Sequence, residues 1–345
     1  MTLREMDEAG HEHVAFYRDE STGLRCIVAV YDSRRGPAVG GTRMLDYDDE
    51  ADALADALRL SEAMAYKTAA AELPLGGGKA VIVGDPGEKT DDLLRAYGRV
   101  VDTYGGRFVT GEDVNIDVAD LRVIQETTGN VGGAGGGEGT DVTAAGVVHG
   151  LRASFAEQDG DDSLDGRRIA VQGVGKVGRA LVERLVDEWA NVVVADVDEE
   201  AVAAVEEEFD VESVAPDAIY EEPCDAFAPC ALGGVLDDET IPRLECDIVC
   251  GSANNQLAER RHADALAERG ILYAPDYVVN AGGLVAGVTE MEGGGTAEAL
   301  ERVAAVRDRL ESIFETARAE GITPLAAADR FAEARMAEGG ESTLF

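Results

Sequence analysis

The sequence predicts an α/β protein of two domains, one of them built on a doubly wound parallel sheet. Three observations predict it. The chain has 345 residues, against about 150 for a typical domain. Its hydrophobic fraction is 45%, enough for sizeable cores, which excludes a disordered, collagen-like or disulfide-stapled chain. From Arg168 onward short apolar strands alternate with helices, the pattern of a parallel sheet covered by helices.

The elements follow in order. Leu24–Asp32 (LRCIVAVYD) is β-rich between polar residues and predicts a strand. Asp48 and Asp49 predict the cap of a helix running to about Ala70, with Leu54, Leu58 and Ala65 on its apolar face. LPLGGGKAVIVGDP predicts a glycine turn feeding a strand over 80–83. A helix is expected over 93–104, then a strand in RFVTGEDV with a polar tip. The glycine-rich stretch 130–139 predicts a loop or hinge, and the domain boundary is placed there, between 1–134 and 135–320. An acidic loop at 159–165 leads into strand Arg168–Gln172, helix 177–188, strand 192–196 and helix 199–208. Further strands are expected at 226–228, 248–250 and 272–274, and helices from Thr296 onward with a break at 321–324.

Charge narrows the functions. Thirty bases against sixty-nine acids give a net charge of −39. Nucleic acid and anionic membrane surfaces need a basic footprint, so neither is an expected partner. Only four of the thirty bases are lysines: Lys67, Lys79, Lys89 and Lys176. High acidity with scarce lysine resembles proteins of salt-rich cytoplasms. The five cysteines have no CxxC spacing, so neither a zinc ribbon nor a disulfide framework is expected. The beginning of the chain has acids where a signal peptide needs an apolar core, and no apolar run approaches the ~18 residues of a membrane span. The chain reads as soluble and cytoplasmic.

After the Arg168 strand comes Gly173-Val-Gly175-Lys-Val177-Gly178, a GxGxxG between strand and helix. Glycines there permit a tight turn and let backbone N–H groups approach a pyrophosphate at the helix N-terminus. Asp196 ends the next strand, where a carboxylate binds ribose hydroxyls and repels a 2′-phosphate. Strand, glycines, helix, strand and acid in this order predict a Rossmann-type domain that binds NAD rather than NADP. A mere packing turn is the bland alternative. Lys176, inside the loop, reads as an exposed helix lysine.

Lys67 ends the first long helix and Lys79 follows twelve residues later. Folding that spacing back can bring both ammonium groups to one pocket. A lysine beside another cation, in apolar surroundings, has a depressed pKa and can act as a base. The other can hold a carboxylate, and Asp113, in TGEDV, can carry a second proton.

These residues carry a resemblance. GPAVGGTRM, the 67–79 segment, TGEDV, GVGKVG, APCALGG, GSANNQL and APDYVVNAGG occur in this order. They resemble the leucine, phenylalanine and valine branch of the Glu/Leu/Phe/Val amino-acid dehydrogenase family, over roughly 10–335. The resemblance implies oxidative deamination of an L-amino acid to a 2-oxo acid and ammonia with NAD, and the reverse. It implies that Lys67 binds the substrate carboxylate, with Met64 and Gly77 beside it. It makes Lys79 the general base and Asp113 the proton carrier. Thr143 meets the nicotinamide carboxamide, and Asn254 and Asn280 lie near its ribose and the reacting centre. It implies a substrate and oligomerisation domain to which 321–345 returns, and a homo-oligomer of unspecified size. The glycine-rich hinge, lacking the family's usual proline and serine residues, departs from the pattern.

Val39, Gly111, Leu284 and Gly287 match the side-chain pocket. Neither the lysine nor the serine that grips a second carboxylate in glutamate dehydrogenases is present at Val39 or Gly287. A desolvated carboxylate without partners is costly, so an apolar substrate is expected. Gly111 and Leu284 look like the phenylalanine enzymes, which favours phenylalanine over leucine, with valine third. Glutamate dehydrogenase and a non-catalytic NAD-binding sensor are the rival readings. A zinc hydrolase is disfavoured because the four histidines make no ligand motif.

Overall fold

The computed structural model describes residues 3–133 and 138–339. The chain divides into two compact units. The first holds the described residues to 133, Glu290–Gly293 and the chain from Ala332; the second holds the described residues from 138 to Thr289 and Gly294–Phe331.

The first unit contains α1 (Leu3–Glu8), β1 (His13–Asp19), β2 (Leu24–Asp32), β3 (Ala38–Leu45), α2 (Glu50–Ala70), β4 (Gly76–Val83), α3 (Asp91–Asp102), β5 (Phe108–Gly111) and α4 (Val118–Gln125). Its sheet has the order β1-β2-β4-β3-β5. β1, β2 and β4 pair antiparallel in that order, while β3 runs parallel to both β4 and β5. Asp49 caps α2, accepting from the Ala51 amide at 2.9 Å, a contact worth about 1 kcal/mol in a typical helix.

Two expectations need correction here. Ala65 is buried on α2 as expected, but Leu54 and Leu58 pack at the margin, and the deepest positions are Ala53, Ala57, Ser61, Ala69 and Ala70. The glycines before Lys79 form no turn. They begin β4, and the reversal is made by Ala71 to Leu75. The physical reason is close approach: a Cβ at Gly77 would lie 2.0 Å from the Ala65 nitrogen. Only small residues let helix and strand backbones come that near. His11 also proves buried, its Nε2 2.9 Å from Ser61 Oγ, although its segment reads as polar.

The second unit contains α5 (Glu138–Asp159), β6 (Arg168–Gln172), α6 (Lys176–Asp187), β7 (Asn191–Ala195), α7 (Glu199–Phe209), β8 (Glu212–Ser213), β9 (Ala226–Pro229), β10 (Ile248–Val249), α8 (His262–Glu268), β11 (Leu272–Tyr273), α9 (Asp276–Val279), the greater part of α10 (Gly282–Met291), α11 (Thr296–Val303), α12 (Ala305–Glu320) and the greater part of α13 (Pro324–Glu338); the last residues of α10 and α13 fall in the first unit. The sheet order is β11-β10-β9-β6-β7-β8, parallel throughout. This is the doubly wound dinucleotide-binding order, whose switch point falls between β6 and β9. The α/β fold of two domains is therefore as the sequence predicts. The expected loop over 130–139 is shorter than read, because α5 already begins at Glu138; 134–137 lie outside the described residues.

The division between units falls within α13, at 331/332 rather than at 321. Leu325 packs in the core of the second unit, and Asp329 accepts from Tyr277 at 2.9 Å. The last turns of α13 belong to the first unit: Tyr66 donates to Glu333 at 3.0 Å and Arg335 pairs with Glu72 at 2.9 Å. Among the described residues, no helix is long and apolar enough to cross a membrane.

Candidate active site

Strand alternation builds the site of the first unit. Residues two apart on a strand share a face. Gly77, Lys79 and Val81 face α2, since Gly77 abuts Ala65 and Val81 packs with Ala53 and Ala57. β3 pairs with β4 as Val39↔Gly77 and Arg43↔Val81, so Val39 and Arg43 share that face. The pairing Gly41↔Gly111 adds the end of β5. The opposite face is apolar, with Ala80, Ile82 and Phe108 in the core. Its polar groups satisfy one another: Thr42 Oγ1 lies 2.5 Å from both the Tyr97 hydroxyl and Thr110 Oγ1.

Lys79 is only 6% exposed. Its Nζ lies 2.5 Å from Asp113 Oδ2. Arg43 donates Nε to the same oxygen at 3.0 Å and Nη1 to Asp56 Oδ2 at 2.8 Å. Asp56, on α2, also accepts from the Tyr47 hydroxyl and from Arg59, each at 2.7 Å. Burial pushes the Lys79 ammonium below the ordinary lysine range, and the Arg43 charge adds to this against the pull of Asp113. Burial alone would raise the Asp113 carboxyl, but Lys79 and then Arg43 outweigh it and hold it below the usual carboxylate range. With both cations on Oδ2, the second oxygen of Asp113 is left to face another group. Met64 and Lys67 are half-buried in the last turns of α2, flanking the Ala65 that Gly77 touches.

The second unit holds a dinucleotide cradle. β6 leads into Gly173, whose φ is +96°. A Cβ there would lie 2.8 Å from Ala231, and one at Gly178 would lie 1.9 Å from the Gly173 carbonyl oxygen. Packing thus requires both glycines. Gly175 differs: nothing lies within 4 Å of its Cβ position, and it begins α6 with no side-chain cap. Open space before uncapped N–H groups fits a pyrophosphate. Val177 is half-buried in the first turn of α6 and Lys176 is exposed. Asp196 follows β7 and accepts from the amides of Val174 at 2.8 Å and Asp198 at 3.0 Å, which fixes its carboxylate beside the glycine loop.

Thr143 lies on α5, where its hydroxyl donates to the Gly139 carbonyl at 2.7 Å and keeps its lone pairs for another donor. Gly283, at the start of α10, would place a Cβ 3.5 Å from that hydroxyl. Asn280 is 4% exposed. Its Nδ2 donates to Asn254 Oδ1 at 3.0 Å and to the carbonyls of Ser252 and Ala253 at 3.2 and 3.3 Å. Three acceptors on one side fix the amide, and its buried Oδ1 has no partner among the described residues. An orphaned buried acceptor awaits a donor, and a nicotinamide nucleotide offers hydroxyl and amide donors. Leu284 and Gly287 lie one turn apart on α10, with open space at the Gly287 Cβ position.

Two family models match the chain: the Glu/Leu/Phe/Val dehydrogenase dimerisation domain over 11–130, and the Glutamate/Leucine/Phenylalanine/Valine dehydrogenase domain over 132–218 and 202–337. The chain belongs to the Glu/Leu/Phe/Val dehydrogenase family. It is similar to leucine dehydrogenase of Geobacillus stearothermophilus, at 45% identity over 96% of this chain and 92% of the relative. It is also similar to valine dehydrogenase of Streptomyces albus, at 47% identity over 98% and 95%. The solved structure of L-tryptophan dehydrogenase from Nostoc punctiforme superposes with a TM-score of 0.89 at 44% identity, covering 98% of this chain and 99% of that one. Hetero-hexameric glutamate dehydrogenase from Thermus thermophilus follows at 0.77 and 25%, over 95% and 89%.

This member of the Glu/Leu/Phe/Val dehydrogenase family is thus an oxidoreductase, an amino-acid dehydrogenase, and a purely sensory role is set aside. Sequence reasoning missed Arg43, Asp56 and Tyr47 of the dehydrogenase. The signal was present in GPAVGGTRM: once this is read as a strand, Arg43 falls four residues from Val39 and on its face. A second polar cluster brings Asp238, Glu259 and His262 within 4.8 Å of one another. Arg261 pairs with both acids at 2.5 and 3.0 Å, and His262 Nδ1 accepts from the Glu259 amide at 2.9 Å. This cluster serves the start of α8.

Proposed function

We propose that this dehydrogenase oxidatively deaminates an apolar L-amino acid with NAD, leucine ahead of phenylalanine. The observation that carries the chemistry is buried Lys79 paired with half-buried Asp113, 2.5 Å apart, with the lysine shifted toward its neutral form. In the forward direction amino acid, water and NAD⁺ become 2-oxo acid, ammonium, NADH and a proton. NAD⁺, when bound, supplies the hydride acceptor. Gly175 and the first turn of α6 would hold its pyrophosphate, Asp196 the adenosine ribose, and Thr143, Asn254 and Asn280 the nicotinamide end.

Lys67 holds the substrate carboxylate through a charged hydrogen bond, with Gly77 and Met64 framing it. Neutral Lys79 takes a proton from the water that adds at the α-carbon. Asp113 exchanges a proton with the amino nitrogen through the oxygen that Lys79 and Arg43 leave open. Val39, Gly111, Leu284 and Gly287 select the side chain. Val39 is apolar and Gly287 bare, so a second carboxylate finds no partner at either position and glutamate is disfavoured.

The order of apolar substrates shifts from the sequence expectation. A Cβ at Gly111 would lie 3.3 Å from the Gly132 carbonyl oxygen, so that glycine serves backbone packing and is weaker evidence of room for a ring. Relatives that act on leucine and valine match nearly the whole chain. A homo-oligomer accords with a first unit matching a dimerisation domain, and a cytoplasmic setting with the free cysteines. The deciding experiment is kcat/KM for leucine, phenylalanine, valine, tryptophan and glutamate with NAD⁺ at high salt. Leucine first supports the reading; glutamate first overturns the pocket argument, and phenylalanine first overturns only the order.

A further inference from the structure

We propose that Cys224 and Cys246 form a redox-active dithiol, which a small neutral hydroperoxide closes to a disulfide. The pair lies in the second unit, at the amino ends of β9 and β10. The Gly173 loop and Asn254 follow the opposite, carboxyl ends of the strands. β9 and β10 pair in parallel with the register Ile248↔Ala226. Carried back two residues, that register sets Cys246 directly opposite Cys224. The Cys224 amide donates to the Glu245 carbonyl at 3.0 Å, the bond a parallel ladder makes when 224 faces 246. Neighbouring strands run about 4.8 Å apart, inside the ~4.4–6.8 Å range of Cα separations that a disulfide spans. The neighbouring Cys246 sulfur, together with burial, raises the Cys224 thiol well above its ordinary range, so Cys224 keeps its proton.

Access and charge select the oxidant. Both thiols are half-buried and line a cavity of about 550 Å³ together with Arg168, Asp225, Asp247 and Arg269. Arg168 is engaged by Glu222 at 2.5 Å, and Arg269 donates to the Leu244 carbonyl at 2.8 Å. Arg269 keeps its charge, but with Arg168 balanced by Glu222 the three acids Asp225, Glu245 and Asp247 outnumber it and make the mouth negative, which repels anionic oxidants such as glutathione disulfide and admits a neutral peroxide. The Cys246 sulfur attacks the distal peroxide oxygen as the thiolate, the O–O bond breaks, the leaving oxygen takes up the proton that the sulfur gave up and departs as alcohol or water, and a sulfenic acid forms. The second sulfur displaces the hydroxyl as water and the S–S bond closes. Two electrons pass from the dithiol to the peroxide. Cys26 and Cys250 are buried; Cys26 faces Tyr17 and Ile82, and Cys250, whose amide donates to the Phe227 carbonyl, has only the half-buried Cys230 as a cysteine acting on it.

The test uses the full-length reduced protein, folded at high salt. Treatment with hydrogen peroxide, then alkylation and non-reducing peptide mapping, is expected to show one Cys224–Cys246 crosslink. With alkylation carried out in denaturant after the peroxide is removed, the thiol count should fall from five to three, restored by dithiothreitol. Phenylarsine oxide, which bridges two neighbouring thiols with loss of water, should bind at one equivalent, and at none in Cys246→Ser. Five thiols surviving the peroxide, a crosslink between other cysteines, oxidation of both thiols to sulfinic acid without a crosslink, or equal arsenical binding by the variant would each overturn the proposal.

Discussion

Arg43 and Lys79 close on one oxygen of Asp113, at 3.0 and 2.5 Å, so a half-buried carboxylate bridges two cations, while Asp56 takes the other side of Arg43. The charges act on each other in defined directions. Arg43 pushes Lys79 down and helps hold Asp113 down. Arg43→Gln removes both influences, so both groups should titrate at higher pH. Deamination needs neutral Lys79, so the rising limb of kcat/KM against pH should move upward. At a pH on that limb, the rate should fall about tenfold for each pH unit of displacement. An unmoved limb would show that Arg43 does not position the pair.

The two lysines predict different kinetic failures. Lys79→Ala removes the proposed base, and turnover should drop by ~10²–10⁴-fold. NADH binding, followed by its fluorescence, should persist because the cradle of Gly173, Gly175 and Gly178 lies in the other unit. Lys67→Ala should chiefly raise KM, by the ~1.5–3 kcal/mol of a hydrogen bond to a charged group. Near-normal turnover in the first variant, or an unchanged KM in the second, contradicts the roles given to them.

Asp196 decides the proposed preference for NAD. Its carboxylate is pinned by the Val174 and Asp198 amides, next to the loop that would hold the pyrophosphate. A fixed negative charge there repels a 2′-phosphate. Asp196→Ala should narrow the ratio of kcat/KM for NAD⁺ over NADP⁺ by at least tenfold. Better use of NADP⁺ by the unmodified enzyme would reverse this reading.

Net charge predicts a salt requirement. Thirty-nine uncompensated negative charges repel one another. The Debye length grows from ~3 Å at 1 M salt to ~10 Å at 0.1 M, so dilution extends that repulsion across the surface. Dialysis into dilute buffer should lower activity and the helical circular-dichroism signal together. Both retained for days in dilute buffer would refute a halophilic design.

Local periodicity determined much of this protein from its sequence alone. The strands Leu24–Asp32 and Arg168–Gln172 fall where alternation and flanking polar residues place them, and α2 starts beside the aspartate expected to cap it. The GxGxxG loop and Asp196 were legible because strand, turn, helix and acid follow within one short stretch. The GGGK segment was misread because local propensity opposes glycine in a strand. Contact of β4 with α2 selects glycine there, and the same closeness buries Ala53 and Ala57 more deeply than the neighbouring leucines. Lys79, Arg43, Asp56 and Asp113 come from separate elements, and only the register of β3 on β4 and the packing of α2 gather them on one face. Tertiary structure alone decided that network, because a charge network depends on distances in space, and separation along the chain does not set those distances.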